Sequence, residues 1–303
     1  MNPMKYLALF VILTLSQLSI AQWNQQSSGV TNQLTDVRFK TDTEGYVVGA
    51  SEILKTTDGG NTWNTVHSSS FYLEAIEITT TKILVVGYNT ATSESMLLSS
   101  SNNGVSWIET VLPSAGIVND IFFPSSQIGY AAGSQGTILK TLNGGITWNV
   151  FGSGIPSMIQ SLYFHDANHG FAVGGFSGGY MYETVDGGLT WNEINVSATS
   201  FLQAITFSST STGYAVGWDG DIFKTTDGGT SWTQQTPVQV YGNMDVYFTD
   251  NATGYIVGGS ASSAEIQKTI DGGNSWFSQS PGISHGLIGL HFPSVNTGFA
   301  VGD

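Results

Sequence analysis

Thr56-Thr57-Asp58-Gly59-Gly60-Asn61-Thr62-Trp63 is one copy of a segment that returns five times: residues 100–107 (SSNNGVSW), 141–148 (TLNGGITW), 184–191 (TVDGGLTW), 225–232 (TTDGGTSW) and 269–276 (TIDGGNSW). The tryptophans are spaced 44, 41, 43, 41 and 44 residues apart. A period of that length marks one supersecondary unit repeated along the chain. A second element precedes each box and appears once more after the last: 45–49 (GYVVG), 83–87, 129–133, 170–174, 213–217, 254–258 and 298–302, seven copies in all.

Within each period the pattern reads as four short strands. An apolar-alternating run such as 202–207 comes first, then the Gly-bounded run, a strand into the box and a strand starting at its Trp. Gly, Ser, Thr, Asn and Asp fill the intervals and no helical period is sustained. Four strands every 40 to 45 residues are expected of propeller blades around a channel. Residues 23–26 (WNQQ) resemble the strand that leaves each box, although no box precedes them. The expectation is therefore an all-β, seven-bladed propeller at 22–303, with blades near 32–71, 72–114, 115–157, 158–199, 200–240, 241–283, and 284–303 joined by 22–31. The last blade is expected to be incomplete at the C-terminus, where the sequence reads as truncated, and to be completed by the N-terminal strand.

Composition limits the function classes. Eight Lys and Arg stand against 22 Asp and Glu, a net charge of −14, and Arg38 is the single arginine. Such a chain cannot neutralise a phosphate backbone, which argues against nucleic acid and anionic membranes. Cysteine is absent, which excludes disulfides and thiolate metal sites. Residues 1–21 read as a signal peptide: Lys5, an apolar run too short and too interrupted to span a membrane, and the small-residue end Ser19-Ile20-Ala21. The expectation is a secreted, periplasmic or cell-surface monomer, without membrane insertion after signal removal.

In each box the Asp or Asn (Asp58, Asn102, Asn143, Asp186, Asp227, Asp271) is read as accepting N–H bonds across a hairpin, and the Trp (Trp63, Trp107, Trp148, Trp191, Trp232, Trp276) as packing on a neighbouring strand. One carboxylate per turn is thin ligation for calcium. No metal and no cofactor is expected. These boxes resemble the Asp-box, or BNR, repeat. With the G-Y-x-V-G runs and the K-T-x-D-G-G form at Lys55, Lys140, Lys224 and Lys268, residues 23–303 are similar to the photosystem II stability/assembly factor family. That resemblance implies a seven-bladed propeller with peripheral boxes, serving photosynthetic members as a protein-binding chaperone that holds its client through an arginine-rich patch, where this chain has Arg38 alone. Similar Asp-box propellers occur in secreted proteins of non-photosynthetic bacteria.

Sialidases also carry such boxes, but they hold a carboxylate with three arginines, a geometry lysine does not replace. A generic glycosidase needs two carboxylates flanking its bond. Aligned on their Phe, the innermost strands give a first column containing Asp36, Asp120 and Asp245, and a third column of Arg38, Glu77, Phe122, Tyr163, Thr206, Tyr247 and His291. Alternation turns both columns toward the channel and the apolar second and fourth between blades. Were the protein an enzyme, Asp36, Glu77, Asp120 and Asp245 would be the catalytic candidates. As a non-catalytic binder of a protein or glycan it would use Asp36, Arg38, Asp120, Tyr163, Trp218, Asp245, Tyr247 and His291 at the channel mouth. An assembly-factor role for an envelope complex is the third reading. His165 and His169 are spaced as ligands are on a helix, but they fall on a turn between strands.

Overall fold

The computed structural model describes residues 23–303 except 115, 177, 199, 239–241 and 261. The signal-peptide reading of 1–21 lies outside the described residues. Regular structure among those described is strand, apart from two three-residue 3₁₀ turns at Ser134–Gly136 and Trp218–Gly220. Six antiparallel sheets of four strands succeed one another in chain order. Their inner strands are Asp36–Phe39, Tyr72–Ile78, Val118–Phe122, Ile159–Phe164, Leu202–Phe207 and Gly242–Phe248. Each inner strand packs against the next, and Leu287–Ser294 packs against both Gly242–Phe248 and Asp36–Phe39, which closes the circle.

The protein is thus an all-β propeller with six blades, not the seven expected. The seventh repeat contributes a two-stranded hairpin, Leu287–Ser294 with Thr297–Gly302. The N-terminal segment does not complete it, because residues 23–35 carry no strand pairing. The segment is held otherwise: Trp23 meets Phe292 edge-on at 6.1 Å and 86°, its Nε1 donates to Gln279 Oε1 at 3.1 Å, and Leu34 N donates to the Gly302 carbonyl at 3.0 Å.

The repeat motifs account for how blades adhere. The aromatic ring of a second strand stacks on the inner-strand Phe of the next blade, as in Tyr130 on Phe164 at 3.8 Å, Tyr214 on Phe248 at 3.9 Å and, across the closure, Phe299 on Phe39 at 4.0 Å. That blade's own box Trp then sets its edge against the same Phe, at 5.8 to 6.0 Å for Trp63, Trp148, Trp191, Trp232 and Trp276. Such pairs contribute about 0.5–1.5 kcal/mol beyond the area they bury. The glycine opening each second strand lies under the Phe ring of its own blade; a Cβ at Gly129 would come within 2.4 Å of Phe123. Blade 2 has Ile83 in place of that glycine and Ile78 in place of the Phe, so the two exchanges compensate.

The hydroxyl of Tyr130 donates to the Gly187 carbonyl in the following box at 3.1 Å, and Lys140 donates to the same oxygen at 2.8 Å. The Gly-Tyr and Lys-Thr signatures are therefore two halves of one clasp between neighbouring blades.

Candidate functional site

The seven inner strands surround a channel of about 750 Å³. All fourteen residues of the first and third columns line it, including Asp36, Arg38, Glu77, Asp120, Phe122, Tyr163, Thr206, Asp245, Tyr247 and His291. The second column, from Val37 to Leu290, is at most 5% exposed and holds the blades together.

Asp36, Asp120 and Asp245 have a role that sequence periodicity does not reveal. One oxygen of each accepts the N–H of the next residue, Val37, Ile121 or Val246, at 2.7 to 2.8 Å. The other accepts an N–H from the following inner strand: Ile76 at 3.0 Å, Leu162 at 2.7 Å and Leu290 at 2.8 Å. Each carboxylate therefore pins one inner strand to the next, with both oxygens engaged. Asp36 also pairs with Arg38 Nη1 at 3.0 Å, which places the two columns on one face.

Burial drives these acids away from their ordinary range. Desolvation raises Asp120 to about 6 and Asp245 to about 7, against the lowering pull of Arg38 and the backbone N–H bonds. Asp36 is raised for the same reason. Glu77 is pushed to about 8 by burial, opposed by Arg38 and reinforced by Asp120 and Asp36. His291 falls to about 3 through burial and the nearby guanidinium. Tyr247 donates to the Phe292 carbonyl at 3.2 Å, while Tyr163 packs between Phe122 and Phe207 at 5.3 and 4.9 Å.

A ring missed by simple alternation sits at the mouth. Inner strands are bulged one residue before the first column, between Leu73 and Ala75, Ile159 and Ser161, Leu202 and Ala204, Asn243 and Asp245, and Leu287 and Gly289. Bulges re-aim a side chain that the pleat would direct elsewhere. Glu74, Gln160, Gln203, Met244 and Ile288 accordingly reach the channel, with Asn119 completing the set in the third blade, whose register is shifted likewise. Desolvation raises Glu74 to about 7. Its sequence signal is the acid or amide residue before the first column, in four of seven repeats.

Trp218 stands outside the channel lining, 41% exposed on its 3₁₀ turn and 5.4 Å from Phe201. His169 Nε2 meets Glu183 Oε1 at 2.8 Å, and His165 lies among Tyr163, Phe171 and Phe207. The boxes are hairpin locks. In each, the Thr or Ser two residues before the Asp or Asn donates to it, at 2.8 to 3.0 Å, and that side-chain oxygen accepts the N–H four residues on at 2.9 to 3.0 Å. The glycine four residues after each box's opening Thr or Ser takes positive φ and lies against the preceding blade's second strand, as Gly273 does on the Tyr214 ring and Gly145 on Leu84.

The family model for photosynthesis system II assembly factor YCF48 matches residues 15–115 and 151–236. None of the curated proteins matches the sequence. Among solved structures, YCF48 from Cyanidioschyzon merolae is 21% identical with a TM-score of 0.74, over 93% of this chain and 96% of that one. A YCF48 structure bound to a D1 peptide is 19% identical with a TM-score of 0.75, over 94% of each chain. A GH74 enzyme of Niastella koreensis is 14% identical with a TM-score of 0.74, and this chain spans 52% of it. At these identities the structures establish a shared propeller fold.

Proposed function

The chain belongs to the photosynthesis system II assembly factor YCF48 family, and from that premise we propose that it is a non-catalytic, protein-binding propeller whose acidic channel mouth receives an extended, cationic segment of a client. The observation that carries this reading is the bulge ring: Asn119, Gln160 and Gln203 bring amides, which both donate to and accept from a peptide backbone, to the rim of a channel holding Glu74, Glu77, Asp120 and Asp245 against Arg38. A relative bound to a peptide lends support. The resemblance implies an arginine-rich patch, whereas this chain has Arg38 alone and a channel lined by acids, so the complementary client segment carries Lys or Arg.

A glycosidase reading is weakened by the same geometry. Asp36, Asp120 and Asp245 spend both oxygens on backbone N–H groups, which leaves Glu77 without a free partner among the candidates. Client capture outside the cytoplasm, as an assembly factor for an envelope complex, fits the N-terminal sequence pattern; fractionation of expressing cells checks it. The decisive test is calorimetric titration with a lysine-containing extended peptide and, separately, incubation with a polysaccharide panel. Saturable binding that weakens with salt, without hydrolysis, is expected. Hydrolysis lost on Glu77→Gln would overturn the proposal.

A further inference from the structure

The acids of the channel are not equivalent. Asp36, Asp120 and Asp245 give both oxygens to backbone N–H groups, whereas the carboxyls of Glu74 and Glu77 accept no hydrogen bond among the described residues. Both glutamates stand on one strand, Tyr72–Ile78, and both are partly open to the channel. Arg38 is tied to Asp36 at 3.0 Å and to the Val37 carbonyl at 3.1 Å, which leaves Glu77 without a hydrogen bond from it. The free carboxyl oxygens are thus gathered on a single wall.

The opposite wall differs in kind. Seven inner strands close the ring, so the side that faces blade 2 falls between blades 5 and 6. The bulge that turns Glu74 inward recurs in blade 6 and in the closing hairpin, where it turns Met244 and Ile288 inward at the same level. Deeper in the channel Tyr247 presents its ring, because its hydroxyl is committed to the Phe292 carbonyl at 3.2 Å. Gln203 and Thr206 of blade 5 lie beside this apolar stretch and add no charge to it.

An extended chain directs successive side chains to opposite sides, with same-side residues about 7 Å apart. Glu74 and Glu77 lie between two and three residue rises apart, about 7–10 Å, a spacing that two same-side Lys or Arg stems reach. The channel, about 750 Å³, encloses a few residues and not a folded partner. We infer, on the reading that the channel takes a cationic segment, that its guest alternates basic and apolar residues: basic side chains at i and i+2 pair with Glu74 and Glu77, and the apolar residue between them packs on Met244, Ile288 and the Tyr247 ring. A continuous basic tract fits less well, since every second ammonium would meet Met244 and Ile288 and be desolvated there without a partner.

The test is fluorescence anisotropy of the whole chain with three labelled, end-blocked synthetic peptides: Lys-Leu-Lys-Leu-Lys, its rearrangement Lys-Lys-Lys-Leu-Leu, and Glu-Leu-Glu-Leu-Glu. The first two carry equal charge, so the general pull of a chain at −14 cancels between them. Expected are saturable binding of the alternating basic peptide, at least tenfold weaker binding of the rearranged one, and none of the acidic one. Glu74→Gln and Glu77→Gln should each weaken the alternating peptide at least fivefold, and Met244→Gln should narrow its advantage over the rearranged peptide. Equal affinities of the two basic peptides for the unaltered protein would overturn the alternation while leaving capture of a cationic segment standing; saturation by neither would overturn both. Binding of the alternating peptide that neither glutamate variant weakens would also overturn the inference. The comparison of peptides on the unaltered protein decides even where a variant fails to fold.

Discussion

The acids of the boxes and the acids of the channel do the same thing in opposite surroundings. Both accept backbone N–H bonds that hold neighbouring segments together. On the rim, with water nearby, bonds from Thr190, Ser231 and Ser275 hold Asp186, Asp227 and Asp271 down at about 2. In the channel the same kind of bond is outweighed by desolvation, and Asp120 and Asp245 rise to about 6 and 7. A carboxyl whose burial favours its neutral form, with Arg38 as the only guanidinium beside it, gains from an incoming cation that restores its charge. The rim acid, already satisfied and solvated, does not.

The largest effect expected from probing this contrast is Asp36→Ala. It strips acceptors from the buried Val37 and Ile76 N–H groups and leaves Arg38 unpaired, with an expected loss of about 2–5 kcal/mol in urea unfolding. A loss no greater than that of a surface substitution would remove the pinning role.

Next comes pH. A carboxyl whose folded pKa is raised contributes its stability fully below the unfolded value near 4 and loses it as pH climbs through the folded value. Glu77, Asp245, Glu74 and Asp120 therefore erode stability between about pH 4 and pH 8. The box acids act oppositely: present above about 4, their contribution is lost as pH falls toward 2. His291, held neutral down to about 3, also costs stability in acid and partly offsets the channel carboxyls up to its unfolded value near 6.5. Thermal unfolding should show a maximum near pH 4 to 5, with lower midpoints at pH 8 and at pH 2.5.

Glu77→Gln should flatten the alkaline limb of that profile while leaving the acid limb alone; an unchanged alkaline slope would assign it elsewhere. The smallest effect belongs to Asp227→Asn. Asn102 and Asn143 fill the same place with the same bonds, Asn102 Oδ1 accepting from Ser106 N at 3.0 Å and its Nδ2 donating to Ser106 Oγ at 2.8 Å. The melting midpoint at pH 7 should barely move.

The same contrast separates the features legible in the sequence from those that are not. The repeat, the four-strand period and the channel-facing columns come from apolar alternation and box spacing, because the pleat leaves inner-strand side chains two directions. The N-terminal segment misleads because Trp23 does occupy a box-Trp position: the side chain keeps the pattern, edge-on to Phe292, while residues 23–31 pair in no ladder. The pins of Asp36, Asp120 and Asp245 depend on the adjacent blade, which no single-repeat pattern contains. The bulges hide Glu74, Gln160 and Gln203, since one extra residue inverts the facing that alternation assigns.

The sharpest single measurement is a carboxyl ¹³C NMR titration of the whole chain, with and without a lysine-containing extended peptide. Peptide binding should draw Glu77 and Glu74 down toward ordinary carboxylate values while Asp186, Asp227 and Asp271 stay where they were. Movement of the rim acids with the channel carboxyls unchanged would place recognition on the outside of the propeller and contradict the account.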